Sequence, residues 1–127
     1  MKKMRIALVI MLAAASSITH AATFEERVRL GKEAERKYGL APRMIEATVD
    51  QLADHMRVCI TASPNHQVKS LVLVADFTQA GRAINVEVKP AVGLTICFAE
   101  KFRGIQFPKL PRELGQGPLP FSHEFRN

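Results

Sequence analysis

The most regular apolar pattern in this chain lies between residues 42 and 60 and has a helical period. Apolar side chains recur there at intervals of three and four residues, at Ile45, Val49, Leu52, Met56 and Cys59/Ile60. This spacing places them on one face of an α-helix, and Pro42 fits the first turn because the N–H that it lacks would have no helical partner there. The sequence therefore predicts a core-facing amphipathic helix with Cys59 in its last turn.

An alternating pattern follows and predicts two strands. Apolar residues occupy every second position in two short runs, at Leu71, Leu73, Ala75 and Phe77 and then at Ile84, Val86 and Val88. Two such runs joined by a short glycine-containing turn predict an antiparallel hairpin, with Gly81 at a positive φ. The first run is also apolar at Val72 and Val74, so we expect its strand to be the more central or more covered of the two.

The helical period returns after Pro90 and then changes again to alternation. Leu94, Cys97/Phe98, Phe102 and Ile105 have helical spacing, and Pro108 and Pro111 prevent the helix from continuing. The closing segment places apolar or aromatic side chains at alternate positions, at Leu119, Phe121, His123 and Phe125. Its prolines confine this strand to a sheet edge or delay its pairing until after Pro120.

Residues 23–40 form a highly charged segment with only a sparse apolar stripe. Residues 24–38 favour a helix, with apolar side chains at Phe24, Val28, Leu30 and Tyr38 and a glycine ending at Gly39. Two interpretations are open, a peripheral helix and a solvated lead-in. The whole order is α-α-β-β-α-β, which predicts a small α+β domain over residues 41–127.

The first 22 residues have the pattern of a secretory signal peptide. A basic start, "MKKMR", precedes the apolar run "IALVIMLAAASSI" and the small residues around Ala21 and Ala22. We expect cleavage after Ala21 or Ala22 and export to a bacterial periplasm. The alternative is an uncleaved anchor, but the apolar run is shorter than the roughly 20 residues that span a bilayer. No stable membrane insertion is expected once the signal is cleaved.

Composition narrows the expected partners. The chain has a formal net charge of +6. Three of its positive charges, those of Lys2, Lys3 and Arg5, lie in the predicted signal peptide. The mature chain is therefore mildly basic and has no run of five like charges, so nucleic acid is not an expected partner.

Cys59 and Cys97 are the two cysteines of the chain. In an oxidising compartment an even pair predicts a disulfide, which would tie the first apolar helix to the second. Two buried free thiols and a redox pair are the alternatives. The chain has no Cys-x-x-Cys spacing and no further cysteine that could serve as a ligand, so redox or zinc chemistry is not expected.

At this level of detail the sequence resembles the TonB C-terminal-like domains, in particular the AgmX/PglI C-terminal type. The matching segments run in order over roughly residues 45–126, and they are "MRVCI", "SPNHQ", "LVLVADFTQAGRAINVEV", "ICFAEKFRGIQFPKLP" and "GPLPFSHEF". The resemblance implies a three-stranded antiparallel sheet packed on helices. It also implies binding of another envelope or periplasmic protein at a sheet edge, here Phe121, Ser122, His123, Glu124 and Phe125. We expect the hydrophobic groove beside this edge to take part in that binding.

This chain departs from TonB energy transducers in having no long proline-rich spacer and a signal that we expect to be cleaved. Force transmission through a membrane anchor is therefore the last-ranked of three functions. The second is a periplasmic inhibitor or immunity protein that neutralises a toxin or hydrolase, which its small size and export would also fit.

The sequence offers few candidate catalytic residues. His55 and His66 lie on a predicted helix and in a predicted loop, neither has a partner histidine at metal-binding spacing, and His123 lies among aromatic positions. The serines have no Gly-x-Ser-x-Gly context, and no glycine-rich phosphate loop is present in the sequence. We therefore expect a binding protein without enzymatic activity, cofactor or metal.

Overall fold

A computed structural model describes residues 22–64 and 67–126 of the protein. The elements, in chain order, are α1 (Phe24–Tyr38), α2 (Leu40–Met44), α3 (Val49–Ala62), β1 (Ser70–Phe77), β2 (Ala83–Lys89), α4 (Gly93–Arg103) and β3 (Leu119–Arg126). This is an α+β fold with a three-stranded antiparallel sheet, as predicted. Most of the predicted signal peptide, including Ala21, and the loop residues Asn65 and His66 lie outside the described residues.

The sheet has the order β2-β1-β3, so β1 is the central strand. Val74 pairs with Glu87 of β2 on one side and with Ser122 of β3 on the other. Leu73 and Val74 point to opposite faces of the sheet, and both are fully buried. The run of apolar residues in β1 is thus explained by burial on both faces, and the predicted central position is confirmed.

A β-bulge in β2 changes the predicted pattern of the hairpin. Val74 pairs with Glu87 whereas Asp76 pairs with Ile84, so β2 contains one more residue than β1 over this interval. Asn85 lies in that interval at φ 55°. Because of this extra residue, the side chains before the bulge point to the opposite face of the sheet from the one that strict alternation predicts. Ile84 is consequently 38% exposed and Ala83 is buried, and the prediction that Ile84 shares the core face of Val86 was wrong.

The predicted helix over 42–60 is interrupted. α2 ends at Met44, a short 3₁₀ segment spans Glu46–Thr48, and α3 begins at Val49. The Thr48 hydroxyl donates a hydrogen bond to the Met44 carbonyl at 2.9 Å, which supports the break. A 3₁₀ turn has about three residues instead of 3.6, so the helical period does not carry across it. Val49 is therefore 54% exposed instead of facing the core.

Aromatic side chains between α4 and the sheet form the centre of the core. The Phe77 ring lies 4.9 Å from the rings of Phe107 and Phe121, edge to face in both cases. α4 ends at Arg103, with Gly104 as its C-terminal cap, and the chain then returns to the hairpin turn, where the Phe107 N–H donates to the Gly81 carbonyl at 2.9 Å. Gly81 has the predicted positive φ, 86°.

α1 packs on the outer face of the sheet, which decides between the two interpretations of residues 23–40. Its N-terminus has a capping box, in which the Glu26 N–H donates to the Thr23 hydroxyl and the Thr23 N–H donates to the Glu26 carboxylate, both at 3.1 Å. The helix is buried at Gly31 and Ala34, while Leu30 of the predicted apolar stripe is exposed. The helix therefore contacts the sheet through small residues, and the solvated lead-in was the wrong alternative.

A polar network joins the first turns of α1 to β1 and β2. The Arg27 side chain is 13% exposed and lies 3.6 Å from the Asp76 carboxylate and 3.4 Å from that of Glu87. It also donates to the Asn85 carbonyl at 2.6 Å, at the β-bulge. These contacts fix α1 across the sheet. None of the helices in the described part of the chain is long and apolar enough to cross a membrane.

Candidate protein-binding site

β3 is an edge strand, as the closing segment predicted. Within the described ranges it pairs with β1 alone, in an unbroken register from Ser70 opposite Arg126 to Phe77 opposite Leu119. The five predicted edge residues differ in exposure. Phe121 is 1% exposed and belongs to the core, Glu124 is exposed, and the other three are half-buried, namely Ser122, His123 and Phe125.

α1 covers the first half of β3. A Cβ atom placed on Gly31 would lie 2.5 Å from the Ser122 nitrogen and 2.7 Å from the Phe121 carbonyl carbon. Only a residue without a side chain can approach backbone so closely. The part of the predicted edge at Phe121 and Ser122 is thus in contact with the protein's own helix, and Glu124–Arg126 is the more exposed part of the strand.

The two edges of the sheet differ in features that discourage pairing with another chain. β2 has a bulge at Asn85, ends with Lys89 and is followed by Pro90. Bulges, lysines and prolines are the devices by which natural sheets protect an edge. β3 has no bulge and no lysine, and its proline, Pro120, lies in its first half. Its second half is therefore the less protected edge.

His123 is packed among aromatic rings. Its imidazole lies 4.6 Å from the Phe125 ring, edge to face, and 6.1 Å from the Phe121 ring, nearly parallel. Burial lowers the pKa of His123 from its ordinary value, because the surroundings disfavour the charged ring, and the carboxylates of Glu35 and Glu124 oppose this shift. At neutral pH the side chain is therefore an uncharged packing element.

An open apolar pocket of about 420 Å³ borders the exposed end of β3. It lies between the C-terminal end of α3, the start of β1, the start of α4 and the end of β3. Its apolar lining comes from Met56, Ile60, Val68, Leu71, Leu94 and Phe125. Ile60 is 43% exposed, so this pocket displays apolar surface beside an unpaired strand edge.

The disulfide between Cys59 and Cys97 holds one wall of this pocket in place. The two sulfur atoms are 2.04 Å apart, and the bond joins the last turn of α3 to α4. Met56 and Ile60 flank Cys59 on α3 and line the pocket. α3 packs mainly on α4 and has few contacts with the sheet. The predicted disulfide thus positions the α3 side of the pocket.

The described residues contain no group of three histidine, cysteine, aspartate or glutamate side chains that could hold a metal ion. Asp54, beside the half-buried His55, forms an ion pair with Arg57. His66 lies outside the described residues. His55 and His123 lie on separate elements, α3 and β3.

Sequence reasoning found the edge strand and the disulfide and expected a hydrophobic groove beside the edge, but it identified neither the residues that line the pocket nor the cover that α1 provides. The pocket is assembled from the neighbouring ends of α3 and β1 and from two distant positions, Leu94 of α4 and the end of β3, so no local pattern marks it. One feature of the sequence indicated that α1 packs closely on β3, namely the glycine at position 31 in the middle of a helical segment. Such a glycine is unfavourable for a helix unless packing requires it.

Comparison with protein-family models, with curated proteins and with solved structures finds no match to this chain. The resemblance to TonB C-terminal-like domains therefore depends on the sequence segments given above.

Proposed function

We propose that this protein is an exported, non-catalytic binding module of the TonB C-terminal-like type. In this proposal it holds an extended segment of another envelope or periplasmic protein along the second half of β3. The observation that carries the proposal is the position of the open apolar pocket, which is lined by Phe125 and Arg126 of the less protected sheet edge.

The physical basis is strand addition. The outward N–H and C=O groups of an edge strand can pair with an incoming extended chain. Side chains of that chain would alternate between the two faces of the sheet, so that one near Phe125 would point towards the pocket. Backbone pairing would then supply the orientation of the ligand, and the pocket would select an apolar side chain.

A peptide selection followed by NMR tests the proposal. The disulfide-bonded chain without its predicted signal peptide is used to select peptides from a displayed random library. Synthetic versions are then titrated into the ¹⁵N-labelled protein. We expect extended peptides with an apolar residue, and chemical-shift changes centred on Glu124–Arg126 and on Leu71. Failure to select any peptide, or shifts centred on β2, would contradict the proposal.

Proline substitutions separate binding from folding. Backbone N–H groups of an edge strand point alternately towards its neighbour and towards solvent. His123→Pro and Glu124→Pro are each compared with alanine at the same position, because the His123 ring packs on Phe121 and Phe125. One proline also removes a hydrogen bond to β1 and is less stable than its alanine counterpart, whereas the other removes only an outward N–H. We expect the proline variant that is as stable as its alanine counterpart to lose peptide binding. Unchanged affinity in that variant would refute pairing at this edge.

A further inference from the structure

The charged residues around the pocket beside β3 all have one sign. Lys69 and Arg126 line it, and no carboxylate does so among the described residues. Two other surface pockets in the described part of the chain are lined by charges of both signs. One is lined by Arg27, Asp76 and Glu87, and the other includes Glu100 and Arg103.

One of the two cations is partly engaged already. The Arg126 guanidinium lies 3.2 Å from the carboxylate of Glu124, and both side chains are substantially exposed. Among the ion pairs of the described residues, Lys69 takes part in none. An incoming carboxylate could therefore interact with Lys69 directly and would compete with Glu124 for Arg126.

The apolar part of the pocket determines where such a carboxylate would lie. Leu71 and Leu94 form its buried floor, and Ile60 and Phe125 add partly exposed walls. An apolar side chain fits against these residues, and a carboxylate close by along the same chain would reach the cationic rim. Removing water from the apolar contact also strengthens the neighbouring charge interaction.

We propose that the occupant of this pocket is an acidic extended segment of a partner protein. One apolar side chain enters the pocket, and an aspartate or glutamate near it pairs with Lys69 and Arg126. This inference depends on the proposed function and adds to it the chemistry of the partner segment.

The test compares acidic peptides with uncharged isosteres. Peptides recovered from the library selection are synthesised with both ends blocked, and each is paired with a version in which asparagine or glutamine replaces the acid. We expect acidic residues to be enriched among the selected peptides. We also expect the amide versions to bind about three- to tenfold more weakly, since two exposed charge pairs contribute that order of energy.

Substitutions in the protein test the same charge interactions from the other side of the interface. The double substitution Lys69→Gln and Arg126→Gln should weaken the acidic peptides about three- to tenfold and leave the amide versions unchanged. Glu124→Gln should strengthen the acidic peptides, because it frees Arg126. Lys109→Gln is the control, since Lys109 is exposed and does not line the pocket.

The outcomes distinguish this inference from the proposed function. If amide and acidic peptides bind equally well at the same edge, the charge inference is refuted while the binding module stands. If no peptide binds, both are refuted. If the same peptides bind only when they are also synthesised with a free terminal carboxylate, the inference is overturned as well.

Discussion

Substitution of Gly31 by alanine is the sharpest test of how α1 contacts β3. In a solvated helix this change should stabilise the fold by about 1 kcal/mol, because glycine is the poorer helix former. In the structure, the new Cβ would lie 2.5 Å from the Ser122 nitrogen and 2.7 Å from the Phe121 carbonyl carbon. Both are backbone atoms of a paired strand, and they cannot rotate away.

The steric effect should exceed the gain in helix propensity. Overpacking a filled site costs about 1–3 kcal/mol, and contacts this close with fixed backbone atoms place Gly31→Ala in the upper part of that range, at about 2–3 kcal/mol. After subtraction of the gain of about 1 kcal/mol in helix propensity, we expect the free energy of unfolding to fall by about 1–2 kcal/mol. Urea denaturation of the disulfide-bonded chain measures this. Gly104→Ala is the control, because its nearest neighbour, the Lys101 carbonyl oxygen, would be 3.6 Å away and its φ is −86°. A Gly31→Ala variant as stable as the wild type would show that α1 does not pack on β3 in this way.

Two further predictions concern the disulfide and the half-buried His123. Replacing Cys59 and Cys97 by serine should lower the free energy of unfolding by about 4 kcal/mol, from the entropy of a loop with a sequence separation of 38; equal urea midpoints for the oxidised and serine proteins would contradict this. Burial lowers the pKa of His123 below its ordinary value of 6.5, so its contribution to stability is complete above that pH and is lost as the pH falls below it. Wild-type protein should therefore lose more stability than His123→Gln between pH 8 and pH 5.5, measured by urea denaturation, and parallel losses would exclude this role.

Local patterns were sufficient for most of the elements. The hairpin followed from period-two alternation and a glycine turn, and Gly81 has the positive φ that this turn requires. β1 was recognised as central because it is apolar on both faces. The pairing of Cys59 with Cys97 followed from the expected oxidising compartment and from the number of cysteines, without any knowledge of the distance between them.

Features that depend on tertiary contacts could not be read from these patterns. The bulge at Asn85 is an irregularity of pairing between two strands, and the helical period continues in the sequence through residues 45–48 although the helix does not. α1 is charged nearly throughout, so its docking depends on Arg27 and on a close approach at Gly31 instead of an apolar stripe. For the same reason, the accessible length of β3 could not be predicted from its own sequence.

That accessible length limits the affinity that the proposed site can reach. With α1 over Phe121 and Ser122, the exposed end of β3 is the short segment Glu124–Arg126. Two or three backbone hydrogen bonds contribute about 1 kcal/mol each, and one buried apolar side chain adds about 1.5–3 kcal/mol. Their sum is roughly 3.5–6 kcal/mol, and the pairing of an acidic residue adds about 1 kcal/mol, so before the cost of association the tightest Kd expected is on the order of 10 µM. A multivalent displayed library can still retain ligands of that affinity. Nanomolar binding at this edge would therefore require α1 to leave β3, and a nanomolar ligand that leaves the α1 resonances unchanged would contradict the site as proposed.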